Sequence, residues 1–368
     1  MKRYPILEVC ARIEGHEVQR QMLREYCKDF ADWQGLLERA EREGMAPLLR
    51  KHLLEAEIEV PAPVKRSLAV LYKRHQHNAE VRLNVIENLL QLFNDNDIPS
   101  ILIKGSAVCT SLYVDPALRP MRDIDILVSE ENAERAQGLL IDAGFVQSNA
   151  PIPPDHHHLP SLHKTVNGVK ICFELHRGLY PDITPHYPKV NFEDFLASAR
   201  TIDISTNIAL AFSHEEMLHY LYQHAFRAPL TYEPYKLINA TDIISYVEKY
   251  FDEINWIQIE KQYPGFYRAL PLMHHISPWN FDRIPQEFLS TTDKCYKLTP
   301  KPYSGWPRKH LSELKHEGSI LQIVKETLFP SRWWMSVYYG KTGLTGYVRS
   351  LVNGHRKQLC LFAGLYRG

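Results

Sequence analysis

Cysteine is sparse in this sequence, and its spacing fits neither a zinc motif nor a disulfide framework. The six cysteines are scattered, without a C-x-x-C pair among them. No run reaches the roughly eighteen apolar residues that a membrane-spanning helix needs, and the first residues lack the apolar stretch of a signal peptide. We therefore expect a cytoplasmic protein without a transmembrane segment. The sequence does not indicate an oligomeric state.

An excess of one charge sign is also absent, because 43 Lys and Arg residues balance 43 Asp and Glu residues. The balance is uneven along the chain, since residues 291–368 contain thirteen Lys or Arg against four acidic residues. This basic tail fits a nucleic acid, an acidic partner or an anionic membrane surface. A solvated face packed on an acidic body fits equally well. Its aromatic pair Trp333-Trp334 suggests either a docking surface or ordinary packing against helices.

The apolar pattern divides the chain into helical ends around a central segment of short strands. Within DWQGLLERA, apolar residues recur at helical spacing, which predicts that one helix face is buried: Trp33, Leu36, Leu37 and Ala40. Helical spacing returns after Ser213. We predict four parts: an N-terminal helical region (1–96), a core (97–205), a C-terminal helical region (206–290) and a basic, aromatic-rich tail (291–368).

The predicted core alternates short β-branched runs with helical ones. One apolar run ends at Lys104-Gly105, and a second, DIDILV, has carboxylates between its apolar residues. Two more runs flank Asn167-Gly168, a dipeptide typical of a tight hairpin turn. This alternation predicts an α/β unit.

Two aspartates in DIDILV are the first candidates for chemistry. Alternate residues of a strand point to the same face, so Asp123 and Asp125 project together. Two carboxylates this close repel each other unless a cation lies between them. Mg²⁺ prefers oxygen ligands and usually binds one or two carboxylates together with substrate phosphates. The alternative is a solvent-facing edge strand on which the D-x-D spacing is accidental.

Cationic and glycine residues near these aspartates suit a phosphate. Lys104-Gly105-Ser106 ends a strand and opens a helix, where backbone N–H groups favour an anion and glycine permits close approach. Arg119 and Arg122 precede the aspartates and are positioned to neutralise triphosphate oxygens. The simpler interpretations are a strand-to-helix turn for the first group and ion pairs with the aspartates for the second.

A third carboxylate would complete a site in which two metal ions clamp the attacking and leaving oxygens. Glu174 lies in the apolar run ICFEL, where an acid is costly to bury without a partner. A metal ion is such a partner. His176 shares its strand face and could contact a phosphate or orient a ligand.

Together these residues resemble the uncharacterised nucleotidyltransferases of the DNA polymerase β-like superfamily. The family's Lys-Gly turn, tyrosine, arginine, Asp-x-Asp and acid-x-His strand match the following positions: Lys104-Gly105, Tyr113, Arg119, Asp123-Ile124-Asp125 and Glu174-Leu175-His176. The helical segments on both sides are also similar to the family. The chain departs from the family at Glu174, which is often Asp, and at Arg177, which is often aromatic.

The resemblance implies an α+β nucleotidyltransferase fold, with a mixed β-sheet core flanked by helical regions. It implies that Asp123, Asp125 and Glu174 bind Mg²⁺ or Mn²⁺ and are catalytic, with Glu174 also acting as the base. The residues it implies for nucleotide binding are Lys104, Gly105, Ser106, Arg119, Arg122, His176, Lys236 and Asp242.

The implied reaction transfers a nucleoside monophosphate from an NTP, such as ATP, to an acceptor and releases pyrophosphate. The acceptor stays open: a small molecule, a peptide, a sugar phosphate, a protein side chain or an RNA end. Three alternatives use the same scaffold. They are a phosphate- or sugar-transfer enzyme, a toxin-like modifier of tRNA or protein, and a binding module without catalysis, against which the intact carboxylates argue.

Consecutive histidines at positions 156 to 158, with His163 nearby, invite a zinc interpretation. Three adjacent imidazoles on a regular element cannot all point at one metal, and no cysteine lies close, so we do not expect structural zinc at His156, His157 and His158. The proline-rich segment that contains these histidines is better explained as a loop on the acceptor side of the active site. His224 lies on an apolar helix face, which indicates a hydrogen-bonded core histidine.

Overall fold

The computed structural model describes residues 4–150, 152, 156–179, 191–205, 207–226, 236–290, 321, 328–339 and 344–362. The chain divides into a helical unit, which comprises Met1–Val60 and Leu218–Arg367, and a sheet unit, which comprises Pro61–Met217. Among the helices described, none is both long enough and apolar enough to cross a membrane.

The regular elements run in the following order. The helices are α1 (Pro5–Val9), α2 (Glu17–Cys27), α3 (Trp33–Arg42), α4 (Ala46–Glu55), α5 (Ala62–Asn94), α6 (Lys104–Ser111), α7 (Glu130–Asp142), α8 (Phe192–Ser198), α9 (His214–Ala225), α10 (Leu237–Tyr250), α11 (Trp256–Gln262), α12 (Pro264–Ala269), α13 (Glu287–Ser290), α14 (Arg332–Tyr339) and α15 (Leu344–Phe362). The strands are β1 (Ser100–Leu102), β2 (Ile124–Val128), β3 (Val146–Gln147), β4 (Leu162–Val166), β5 (Val169–His176), β6 (Arg200–Ile204) and β7 (Asn207–Ala211).

The helix α3 of the helical unit follows the apolar spacing closely. The four residues predicted on its inner face are buried: Trp33, Leu36, Leu37 and Ala40. Asp32 caps the helix, because its carboxylate accepts a hydrogen bond from the Gly35 N–H at 3.2 Å. Gly44, with a φ of +74°, lies just beyond the helix end, in the left-handed region that glycine adopts without strain.

A buried arginine ties the first segment of the helical unit to α10. The Arg12 side chain is fully buried, pairs with Glu248 and donates to the carbonyl of Pro278. It also donates to Ser277 Oγ at 3.3 Å. Burial lowers the pKa of Arg12, and the neighbouring Glu248 carboxylate opposes that shift.

The tryptophan pair of the tail packs inside the helical unit. Trp333 and Trp334 on α14 are each 1% exposed, and their rings lie 6.2 Å and 5.5 Å from that of Phe226. Tyr222 donates a hydrogen bond to the Val337 carbonyl at 2.6 Å. The packing interpretation therefore holds for this pair. Most of the basic residues of the tail lie outside the described residues.

The sheet unit is built on a mixed seven-stranded sheet in the order β3-β4-β5-β2-β1-β7-β6. The central pair β2 and β5 is parallel, as is β1 with β7, and the other neighbours are antiparallel. The predicted α+β class with a mixed sheet is confirmed. The hairpin between β4 and β5 turns at Asn167 and Gly168, with φ values of +48° and +77°, as a two-residue turn with both φ positive requires.

The sheet unit is larger than the predicted core of 97–205. It also contains β7, which pairs with β1, and the 33-residue helix α5, which contacts α7 and β5. Helical spacing identifies α5 as a helix with one apolar face, but it does not tell which core that face covers. For this reason the sequence assigned α5 to the N-terminal helical region.

Candidate active site

The parallel pair β2 and β5 aligns the acidic residues of the two strands. Asp125 on β2 lies opposite Glu174 on β5, and Leu127 lies opposite His176. Register partners on adjacent strands point to the same face of a sheet. The two carboxylates and the imidazole are therefore collected on one face, although Asp125 and Glu174 are far apart in the sequence.

Ligand atoms of Asp125, Glu174 and His176 all lie within 4.8 Å of one another, close enough to hold one metal ion. His176 Nε2 is 3.1 Å from Asp125 Oδ1 and 3.8 Å from Glu174 Oε2. The other ring nitrogen, Nδ1, lies 3.3 Å from the Gly178 carbonyl oxygen. Nε2 therefore faces the two carboxylates, where the imidazole either donates a hydrogen bond or, with its lone pair free, binds a metal ion.

Lys104 supplies the positive charge next to these groups. Its Nζ is 2.8 Å from Asp125 Oδ1 and 3.4 Å from His176 Nε2. The side chains of Lys104 and Asp125 are only 13% and 3% exposed. Water therefore screens this ion pair weakly, and the ammonium is the main counter-charge of the buried carboxylate.

The three acids differ in their protonation. Burial raises the pKa of Asp123 to about 6, and the charges of Asp125 and Glu174 add to that shift. Burial acts in the same direction on Asp125, but Lys104 and His176 outweigh it and hold the pKa of Asp125 well below its usual range. Burial is likewise outweighed at Glu174, where the neighbouring His176 imidazole, 3.8 Å away, lowers the pKa. At neutral pH the site thus contains at least two ionised carboxylates.

Asp123 shares the electrostatic environment of the other two acids but not their immediate contact. It immediately precedes β2, and its pKa responds to both Asp125 and Glu174. Within the described residues, the ligand atoms that meet here belong to Asp125, Glu174 and His176. The predicted carboxylate triad is thus brought to one region, with His176 nearer its centre than Asp123.

The Lys-Gly turn joins β1 to α6 in a strained conformation. Lys104 has a φ of +50°, which is uncommon for a residue with a Cβ and often marks a functional site. A Cβ on Gly105 would lie 2.7 Å from Arg119 Nη1, so glycine makes room for that guanidinium. Arg119 is 9% exposed and therefore packed against the turn, whereas Arg122 is exposed.

Ser106 makes a different contact from the predicted one with a phosphate. Its side chain is fully buried, and its Oγ accepts a hydrogen bond from the Asp125 N–H at 2.8 Å. The Ile103 N–H also donates to the Asp125 carbonyl, at 3.3 Å. The turn thereby fixes the backbone on both sides of the Asp125 side chain.

The sequence model of one protein family, described as Uncharacterised nucleotidyltransferase, matches residues 29–265 of this chain. The chain belongs to this family. The matched span includes the Lys-Gly turn, the Asp-x-Asp strand and the Glu174-Leu175-His176 segment.

Two solved structures are similar to this chain. One is an antigenic nucleotidyltransferase-like protein from Paracoccidioides brasiliensis, 17% identical over 56% of this chain and 97% of its own, with a TM-score of 0.34. The other is the antibiotic-resistance factor ANT(2″)-Ia, 14% identical over 54% of this chain and 98% of its own, with a TM-score of 0.34. No curated protein matches the chain.

Two of the residues predicted to bind the nucleotide lie in the helical unit. Lys236 precedes α10, and Asp242 is buried on that helix. Their assignment to the nucleotide pocket stays a prediction. His224 on α9 is half-buried, in keeping with its apolar helix face.

Sequence reasoning missed Arg82 of α5. This arginine is 7% exposed and donates to the Lys170 carbonyl at 3.4 Å. Burial lowers its pKa, and the charge of Asp123 opposes that shift. Its position between Ala79 and Ile86 on the buried face of the helix was the available indication, because an arginine on an apolar stripe needs a partner.

Proposed function

We propose that this nucleotidyltransferase transfers a nucleoside monophosphate from an NTP to an acceptor, releases pyrophosphate, and requires Mg²⁺ or Mn²⁺. One observation carries the proposal. Asp125, Glu174 and His176 meet within ligand distance beside the Lys104-Gly105 turn, in a chain whose family is a nucleotidyltransferase family.

The donor set suits a divalent ion of this kind. Two ionised carboxylates supply the oxygen ligands that Mg²⁺ and Mn²⁺ prefer, and Mn²⁺ also accepts an imidazole. Asp125 and Glu174 would hold the ion together with His176, and Asp123 would share its charge. The bound ion would polarise the phosphoryl oxygens and reduce their repulsion of the incoming nucleophile.

Lys104 and Arg119 are proposed to bind the triphosphate. Lys104 neutralises Asp125 at 2.8 Å, so its ammonium lies at the carboxylate face. Arg119 rests against Gly105, next to the first backbone N–H groups of α6. The start of a helix and two cations form a favourable site for phosphate oxygens.

Glu174 is the proposed base for the acceptor hydroxyl, because its side chain is 24% exposed while that of Asp125 is 3% exposed. An incoming acceptor can approach the first group but not the second. A general base must come within hydrogen-bond distance of the proton that it removes. We therefore propose that Asp125 binds the metal ion and does not act as the base.

Labelled nucleotides test the reaction class. The chain is incubated with Mg²⁺ or Mn²⁺, a cell extract, and an NTP labelled at either the α- or the γ-phosphate. We expect only the α-label to enter an acceptor and the γ-label to leave in pyrophosphate. Transfer of the γ-label alone would instead support the phosphate-transfer alternative, and the labelled fraction identifies the acceptor as protein, RNA or small molecule.

Two variants test the roles of the carboxylates. Asp125→Asn should abolish Mg²⁺-dependent NTP binding, whereas Glu174→Gln should keep part of the binding and lose label transfer. Asp142→Asn, an exposed carboxylate on α7, is the matched control and should behave as wild type. Unchanged NTP binding by Asp125→Asn would remove the metal assignment.

A further inference from the structure

The three consecutive histidines converge beside the candidate active site. One nitrogen from each of His156, His157 and His158 lies within 4.8 Å of the others. The rings of His156 and His157 are stacked at 4.1 Å, and that of His158 lies 4.1 Å and 5.0 Å from them. Tetrahedral zinc with nitrogen ligands needs separations of about 3.3 Å.

The backbone explains why neighbouring imidazoles can meet here. His156 and His157 belong to no strand or helix, and only His158 forms a bridge, with His176. The His157 carbonyl accepts hydrogen bonds from the Arg177 and Gly178 N–H groups at 3.0 Å and 3.1 Å. The expectation that three adjacent histidines cannot face one metal applies to regular elements, and this segment is irregular but anchored to the end of β5.

The hydrogen bonds leave ring nitrogens open for a ligand. His158 Nδ1 lies 2.7 Å from the Leu159 carbonyl oxygen, so it carries the proton and Nε2 keeps its lone pair. His157 Nδ1 is buried and has no hydrogen-bond partner among the described residues, an unusual state for a buried polar atom. His156 Nδ1 accepts only a 3.4 Å bond from the His158 N–H.

We propose that His156, His157 and His158 form a binding site for a zinc-class transition-metal ion, separate from the carboxylate site. Three imidazoles favour Zn²⁺ over Mg²⁺, whereas the carboxylates favour the harder ion. Three protein ligands leave a fourth position for water or a substrate group. The rings of His157 and His158 each lie 5.5 Å from that of His176, so the ion lies next to the residues proposed to bind the nucleotide. The inference does not depend on the proposed transfer reaction.

Equilibrium dialysis of the full-length, untagged chain against Zn²⁺ in excess Mg²⁺ tests this site. We expect one tightly bound Zn²⁺ per wild-type chain. His157→Gln should weaken binding at least about 100-fold, and replacement of all three histidines by alanine should abolish it. His77→Ala, an exposed histidine of α5, is the matched control and should bind as wild type does.

Two further measurements keep the result independent of folding. Co²⁺ added to the wild-type chain should give the intense visible absorption of a four-coordinate ion, and Zn²⁺ should remove it. The double variant Asp125→Asn/Glu174→Gln should retain Zn²⁺. The proposal is overturned if the Co²⁺ spectrum is that of a hydrated ion, if the triple-histidine variant still binds Zn²⁺, or if the double variant loses it.

Discussion

Lys104→Met isolates the electrostatic balance of the carboxylate site. The substitution keeps the length of the side chain but removes the ammonium 2.8 Å from Asp125 Oδ1. At an effective dielectric constant of 20, a charge pair at this distance is worth about 6 kcal/mol. The lysine regains its hydration on unfolding, so the measured loss is smaller, about 3 to 5 kcal/mol, as for other broken buried pairs. We expect the variant to be destabilised by that amount in the absence of divalent ions.

Mg²⁺ should reverse part of that loss, because a cation ligated by Asp125 replaces the missing charge. Urea unfolding with and without Mg²⁺ measures the difference, and the ion should stabilise Lys104→Met more than wild type. Lys164→Met is the control, since Lys164 donates to the neutral Ala143 carbonyl at 2.6 Å and its removal should give a small, Mg²⁺-independent change. Equal stability of Lys104→Met and wild type without Mg²⁺, or no Mg²⁺ effect on the variant, would refute this reasoning.

Three other outcomes follow from single contacts. Gly105→Ala should leave stability within about 1 kcal/mol but raise the KM for NTP several-fold, because its Cβ meets Arg119 Nη1 at 2.7 Å; an unchanged KM would argue against Arg119 as a phosphate ligand. Ser106→Ala should cost about 1 to 3 kcal/mol in urea unfolding, since it leaves the buried Asp125 N–H unsatisfied; a near-neutral change would mean that the strand relaxes. Burial lowers the pKa of His16 to about 4, whereas the imidazole of the unfolded chain has a pKa of about 6.5. Between pH 6.5 and pH 4 the unfolded chain therefore binds a proton that the folded chain does not. The free energy of unfolding decreases in this range by up to about 1.4 kcal/mol for each unit by which the pH falls. His16→Gln should flatten that part of the stability profile.

Local sequence patterns predicted the elements that carry the site. The D-x-D spacing and the Asn167-Gly168 turn each depend on a few consecutive residues, and both lie where the pattern indicates. The pairing of β2 with β5 could not be predicted from residue spacing, because a helix and a hairpin separate Asp125 from Glu174 in the sequence. Glu174 was indicated by its position in the apolar run ICFEL, where an acid needs a partner, and the family resemblance pointed to the same residue.

The details that the sequence could not provide depend on contacts between distant segments. Ser106 was expected on a phosphate, but its hydroxyl accepts the Asp125 N–H, which no local rule predicts. Arg82 comes from a helix that precedes the core. The three histidines were judged by rules for regular elements, and their convergence follows from hydrogen bonds to Arg177 and Gly178.

The arrangement of charges explains how three carboxylates can share one site. Three carboxylates this close together would repel each other, but the charge of each one is compensated in a different way. Asp125 is paired with Lys104, Glu174 remains partly exposed and lies 3.8 Å from His176 Nε2, and Asp123 has a pKa of about 6. Lys104 has a positive φ, so the backbone is strained at the position from which the site receives its cation. A nucleotide and its metal ion would bring new partners for both charges of the Lys104–Asp125 pair, which makes that pair the contact most directly coupled to substrate binding.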